Sequence, residues 1–277
     1  MTLGLVAGSA VLGVAAGALA NGLAARIGPV RYAAVRSELD QTGMDEGLRF
    51  VAPLRPTTVT CEDCGAGIMV GPVLPWLAAG GRCRACGASR RRIHLAVELL
   101  TAAAFALLAN RYGATSVLLP LFVLTGALSA ASLVDLAYGR LPNAITFPAL
   151  GIVSLLVIAI SVDRDLPGAL AGAAVGASLY YGFLLVMHLI SPRGMGFGDV
   201  KLALPMGLVL GWLGWSGDLW ILGPLVLVMY AAMLGSLLAA VIGFAIARAL
   251  KTAFPLGPFL ALGTYVVVLF ASDLRPT

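Results

Sequence analysis

Residues 167–202 read PGALAGAAVGASLYYGFLLVMHLISPRGMGFGDVKL. From Pro167 to Ile190 there is no aspartate, glutamate, lysine or arginine. A helix needs about 20 mostly apolar residues to cross a bilayer, so this run is long enough to span one. Gly168, Gly172 and Gly176 recur at every fourth position. That spacing lays a smooth stripe along one helix face and permits close helix–helix contact. A short polar break follows, then GMGFGDVKL, in which Asp199 and Lys201 open another apolar run.

The same pattern extends in both directions. Eight apolar stretches are candidate spans: 3–25, 93–110, 116–136, 144–162, 167–190, 200–215, 219–247 and 256–272. The chain has 277 residues, is 60% hydrophobic and only 11% charged, and has a mean hydropathy of +0.97. A soluble domain carries about 25% charged residues. The expected class is therefore an all-α polytopic membrane protein of about eight transmembrane helices. The net charge of +5 does not point to nucleic acid, because the basic residues follow membrane topology.

Orientation comes from arginine and lysine in the loops. Segments 26–92, 137–143, 191–201 and 248–255 hold 15 of the 18 basic residues. The alternate segments hold only Arg111, Arg164 and Arg275. The first group is expected in the cytoplasm, with both termini outside. Ala18-Leu19-Ala20 looks like a signal-peptidase site, but no positive charge precedes the first apolar run. A cleaved signal has the opposite polarity, so the expectation is an uncleaved first helix.

Three parts follow: a first helix (1–27), a cytoplasmic loop domain (28–92) and a membrane core (93–277). The loop holds 15 of the 31 charged residues and all four cysteines. Cys61, Cys64, Cys83 and Cys86 form the pattern C-x2-C-x18-C-x2-C. This fits a structural zinc site in which two tight turns each supply two thiolates. The other readings are two disulfides, free thiols or a redox pair. A reducing cytoplasm argues against disulfides, and one metal accounts for two matched pairs.

Asp135 ends the third span and Asp199 begins the sixth. Two crossings separate them, so the chain returns to the same side and both carboxylates lie at the cytoplasmic boundary. If they approach closely, both cannot ionise, and the pair keeps one proton. The ionised member can then take a proton from water while the other donates to a peptide carbonyl, which is the chemistry of aspartyl proteolysis. Gly196 and Gly198 would let a substrate strand approach closely. The alternative is a pair of helix-end aspartates that snorkel to water. Glu98 in the second span reads as a packing group or a functional acid. His94 and His188 read as interfacial, and Lys201 either biases a carboxylate or snorkels.

The motifs resemble those of the bacterial prepilin peptidases, the type IV leader peptidases. GMGFGDVKL resembles the family's second aspartate motif, Gly-x-Gly-Asp followed by x-Lys. DLAYGRLPNAITFP, Asp135 to Pro148, resembles the first. GRCRACG and VELLTAAAF resemble the second cysteine pair and the helix after it, and FPLGPFLALG resembles the C-terminal Pro-x-Gly-Pro segment. The resemblance implies a membrane aspartyl endopeptidase that cuts a prepilin or pseudopilin leader at the cytoplasmic face, with Asp135 and Asp199 as the catalytic pair. It also implies N-methylation of the new terminus with S-adenosylmethionine. The N-terminal half departs from the family: Ile93-His94-Leu95 replaces Arg-Tyr-Pro, and CEDC lacks the usual proline. Competing readings are an ion-coupled transporter, a non-catalytic pilus-assembly platform and a methyltransferase alone.

Overall fold

A computed structural model describes residues 3–40, 86–87, 93–139, 141–192, 195–215, 221–246 and 255–270. Among them are eight helices: α1 (Leu3–Asp40), α2 (Ile93–Tyr112), α3 (Leu118–Tyr138), α4 (Asn143–Asp163), α5 (Pro167–Ile190), α6 (Phe197–Gly214), α7 (Leu222–Ile246) and α8 (Gly257–Phe270). The first seven contain windows long and apolar enough to cross a membrane. Hydrocarbon offers no water to backbone amides, so apolar runs in it must satisfy their own hydrogen bonds as helices. The protein is an all-helical, multi-pass membrane protein.

Two helices differ from the sequence expectation. Helix α1 continues to Asp40, well past the end of its apolar stretch. Arginines end a span, but alanine, arginine and leucine still favour helix, so the coil outlasts the hydrocarbon. Helix α6 starts at Phe197, so Gly198 and Asp199 belong to its first turn and not to the preceding loop.

Lipid tails are as apolar as leucine, so helices associate by fit and not by exclusion from water. Glycines make that fit. On the α5–α6 seam, a methyl group at Gly172 would lie 2.7 Å from the Gly211 carbonyl oxygen. One at Gly176 would lie 2.5 Å from the Gly211 Cα, and one at Gly207 would lie 2.8 Å from the Tyr180 Cβ. The stripe read from the sequence is the surface on which these two helices meet. Gly13 and Gly17 of α1 do the same against α2, where an added methyl would lie 2.6 Å from the Ala102 Cα and 2.6 Å from the Glu98 Cα respectively. Beside that seam Asn21 donates to Glu98 at 3.3 Å, and Thr101 donates to Ser129 at 3.1 Å. Glu98 is therefore a buried, hydrogen-bonded packing group between α1 and α2.

Helix α8 is the short one. Its 14 residues rise about 21 Å, against a hydrocarbon core of about 30 Å. One end is pinned to the far end of α2: the Tyr112 hydroxyl donates to the Val268 carbonyl at 2.6 Å, and Arg111 donates to the Leu269 carbonyl at 3.0 Å. The other end, Gly257, is buried inside the bundle.

Candidate active site

The inward end of α8 is where the two aspartates meet. Asp135 lies in the last turn of α3, whose helix ends at Gly139. Gly139 adopts φ +63°, a left-handed conformation that suits glycine, and its N–H caps the Asp135 carbonyl at 2.7 Å. The chain then turns through Leu141 and Pro142 into α4. Asp199 lies in the first turn of α6, where amide dipoles point their positive ends and favour a carboxylate.

Gly257 is the common neighbour. Its N–H donates to Asp135 Oδ2 at 3.1 Å. The first amides of a helix have no partner within it, so α8 has this donor to spare. A methyl group on Gly257 would stand 2.8 Å from Asp135 Oδ2 and 3.3 Å from Asp199 Oδ1. The two oxygens are thus separated by no more than the sum of those reaches. Asp135 is 5% exposed and Asp199 6%, so the pair is shielded from bulk water. Asp199 Oδ1 is buried and has no hydrogen-bond partner among the described residues. Like charges this close and this dry repel, and one shared proton relieves the repulsion. Such a pair has one group to accept a proton and one to give it.

The glycines before Asp199 are placed differently from one another. Gly196 is exposed and has ordinary extended geometry, φ −71° and ψ 142°, open to most residues. Beside it the nearest side-chain atom is Asp199 Oδ2, which a methyl at Gly196 would approach to 3.4 Å. Gly198 faces Leu141, where an added methyl would meet the Leu141 Cβ at 2.8 Å. Leu141 Cδ1 would also lie 3.3 Å from a methyl at Gly257. One leucine from the turn after α3 therefore packs beside both Gly198 and Gly257. Its role and that of Gly257 were not visible in the sequence, since only the α8 segment as a whole stood out there.

Lys201 turns away from the carboxylates. Its ammonium donates to Asn143 Oδ1 at 3.2 Å and sits over the rings of Phe197 (4.9 Å) and Phe147 (5.9 Å). His188 Nδ1 is 2.8 Å from the Met195 carbonyl and tethers the segment leading into α6. The side chain of His94 and residues Cys61, Cys64 and Cys83 lie outside the described residues. Cys86 is exposed and is followed by Gly87 at φ +74°, a left-handed conformation that suits glycine. Among the described residues no cluster of three or more metal-binding side chains occurs.

Comparison with known proteins places this architecture. Residues 122–272 match the type IV leader peptidase family, and residues 11–112 match the bacterial peptidase A24 N-terminal domain. A prepilin leader peptidase/N-methyltransferase of Pseudomonas putida is 36% identical over 225 residues, 77% of this chain and 72% of that protein. The protein of that name from Aeromonas hydrophila is 34% identical over 85% of this chain and 78% of its own length. The one from Burkholderia pseudomallei is 31% identical, covering 95% of this chain and 84% of that protein. No solved structure matches the chain. With more than half its length in one family and relatives that align along most of it, this chain belongs to the type IV leader peptidase family.

Proposed function

We propose that this protein is a membrane aspartyl endopeptidase that removes the leader of type IV prepilins or pseudopilins, with Asp135 and Asp199 as its catalytic pair. The observation that carries the reading is that two carboxylates 64 positions apart both turn to Gly257. The ionised member takes a proton from water as the water oxygen attacks the peptide carbon. The protonated member donates to the carbonyl oxygen. When the carbon–nitrogen bond breaks, the acid that took water's proton passes it to the leaving amine, and a hydroxyl of the tetrahedral diol returns its proton to the other acid, so the pair again holds one proton between two acids. The Gly257 N–H holds Asp135 in place throughout. Exposed Gly196 leaves room for a substrate strand beside Asp199.

The basic-loop count supports an active site on the cytoplasmic side of the bacterial inner membrane, close to lipid headgroups. There the pair would meet a leader that has not crossed the bilayer. The segment 28–92 would stand over that face as a separate unit. Four cysteines in two matched pairs, with a left-handed glycine after the second, suit a structural zinc ion. Its chemistry would be to fold a segment with little core of its own. We expect about one zinc per chain, lost when Cys61 or Cys83 is replaced by serine. Metal analysis together with thiol titration checks this, and a metal-free protein with four reactive thiols would refute it.

The relatives' name carries a second activity, methylation of an N-terminus. Among the described residues of the N-terminal half, the buried carboxylate Glu98 is already bonded to Asn21 and packed on the α1–α2 seam, and it points to no cofactor site. Methylation is therefore proposed from the relatives alone. One assay separates the two activities. The purified protein is incubated with a prepilin, with and without S-adenosylmethionine, and the product is weighed. Leader loss in both samples reports the peptidase, and a further gain of about 14 Da with the cofactor reports methyl transfer. Intact prepilin in both samples would end the peptidase reading.

A further inference from the structure

A second side-chain cluster stands on the far side of α6 from Asp199. Phe197 and Lys201 are four residues apart on α6, and Asn143 and Phe147 are four apart on α4. Residues four apart share a helix face, so each helix presents one polar and one aromatic side chain together. The two faces interlock. The Lys201 ammonium donates to Asn143 Oδ1 at 3.2 Å, and it lies 4.9 Å from the centre of the Phe197 ring and 5.9 Å from that of Phe147. Both ring distances are within the reach of a cation–π attraction. His188, at the end of α5, packs on the same Phe197 ring with 5.5 Å between centroids.

A lysine at a bilayer boundary ordinarily extends its ammonium into water. Lys201 and Asn143 are only partly buried, so water is within reach, yet the ammonium stays on the two helices. Holding so long a side chain in one geometry costs rotamer entropy. Two residues along a helix turn about 200° around it, so Lys201 faces away from Asp199. What Lys201 does hold is the start of α4. Asn143 comes two residues after Leu141, whose Cβ would lie 2.8 Å from a methyl at Gly198. Gly198 and Lys201 are three apart and so lie on one side of α6. The chain that follows Asp135 therefore runs along that side and meets it twice, at Gly198 and one turn later at Lys201. A single contact would leave α6 free to roll against its neighbour, and rolling would swing Asp199 away from Gly257. Two contacts a turn apart prevent it.

We propose that Lys201 is a positioning residue for peptide hydrolysis: through Asn143 and the two phenylalanine rings it fixes the rotation of α6, and with it the direction in which Asp199 faces Asp135. The inference rests on the peptidase reading given above.

The test is a pair of variants and their combination, assayed for prepilin cleavage in detergent. Lys201→Met keeps the apolar stem and removes the charge. Asn143→Ala removes the acceptor. Each is expected to lower kcat about 10- to 100-fold with KM unchanged within about twofold. Both break the same hydrogen bond, so the double variant is expected to lose no more than Lys201→Met alone, whereas independent sites would multiply their losses. Lys201→Arg keeps a cation and a donor and is expected to stay within about fivefold of wild type. The pH profile of kcat separates positioning from direct electrostatics. Its limbs stay in place in Lys201→Met if the lysine only positions, and move upward if the ammonium acts on a carboxylate. If wild type does not cleave, the peptidase reading itself has failed. If wild type cleaves and Lys201→Met matches its kcat, raises KM instead, or shifts the pH limbs, only the positioning role is lost. Losses that multiply in the double variant, or that merely track a fall in folded fraction read from the melting temperature, likewise overturn the proposal.

Discussion

On the proposed catalytic pair, Asp199→Asn is expected to lower leader cleavage at least about ten-thousand-fold, and Asp135→Asn is expected to do the same. Asparagine keeps the shape of the carboxyl group and can still accept the Gly257 N–H, so the helices around it are undisturbed. What it cannot do is exchange a proton with water or with the peptide. In the proposed mechanism the two acids act as one unit, so the double variant is expected to lose little more than either single one, as is general for groups that act together. The measurement is the rate of prepilin processing by each purified variant, with melting temperature and membrane insertion as controls. Processing at the wild-type rate by either single variant would remove that residue from the catalytic pair.

Gly176→Val is expected to disrupt the fold itself. A first carbon at Gly176 already meets the Gly211 Cα at 2.5 Å, and the obstacle is backbone that cannot step aside. The α5–α6 seam would have to open along its length, releasing contacts from Gly172 to Gly207. Overpacking of this kind costs about 1–3 kcal/mol and more where backbone is the obstacle. Since α6 carries Asp199, activity goes with the seam. Thermal unfolding in detergent should show a large drop in melting temperature. Ala102→Gly, on the separate α1–α2 seam, is the contrasting control because it removes bulk from the interface and does not add any. A Gly176→Val protein as stable as wild type would show that the close contact is not what holds these helices together.

Much of this was legible in the residues. Bilayer physics converts apolar length into helices, so the candidate spans fall where the helices are. The stripe of Gly168, Gly172 and Gly176 named the face that packs closely, because a period of four has only one meaning on a helix. Counting crossings placed Asp135 and Asp199 at the same end of the bundle, where they converge. Other features depend on geometry that no local pattern encodes. Gly257 acquires its importance from where α8 stops, and that is set by Tyr112 and Arg111 pinning its other end. Leu141 looks like any loop leucine until Gly198 and Gly257 close on it. The extension of α1 to Asp40 was missed for a different reason: hydropathy marks where the bilayer ends, not where the helix does.

The late start of α8 also bears on how the molecule comes into being. Asp135 and Asp199 are both synthesised before residue 255, and until α8 is docked Asp135 lacks the amide that Gly257 provides. A half-made chain would hold both acids without that hydrogen bond. A version ending at residue 250 should insert and yet cut nothing, and restoring the missing portion as a separate peptide should bring cutting back. If the shortened version cuts as well as the whole, the last helix is only scaffolding.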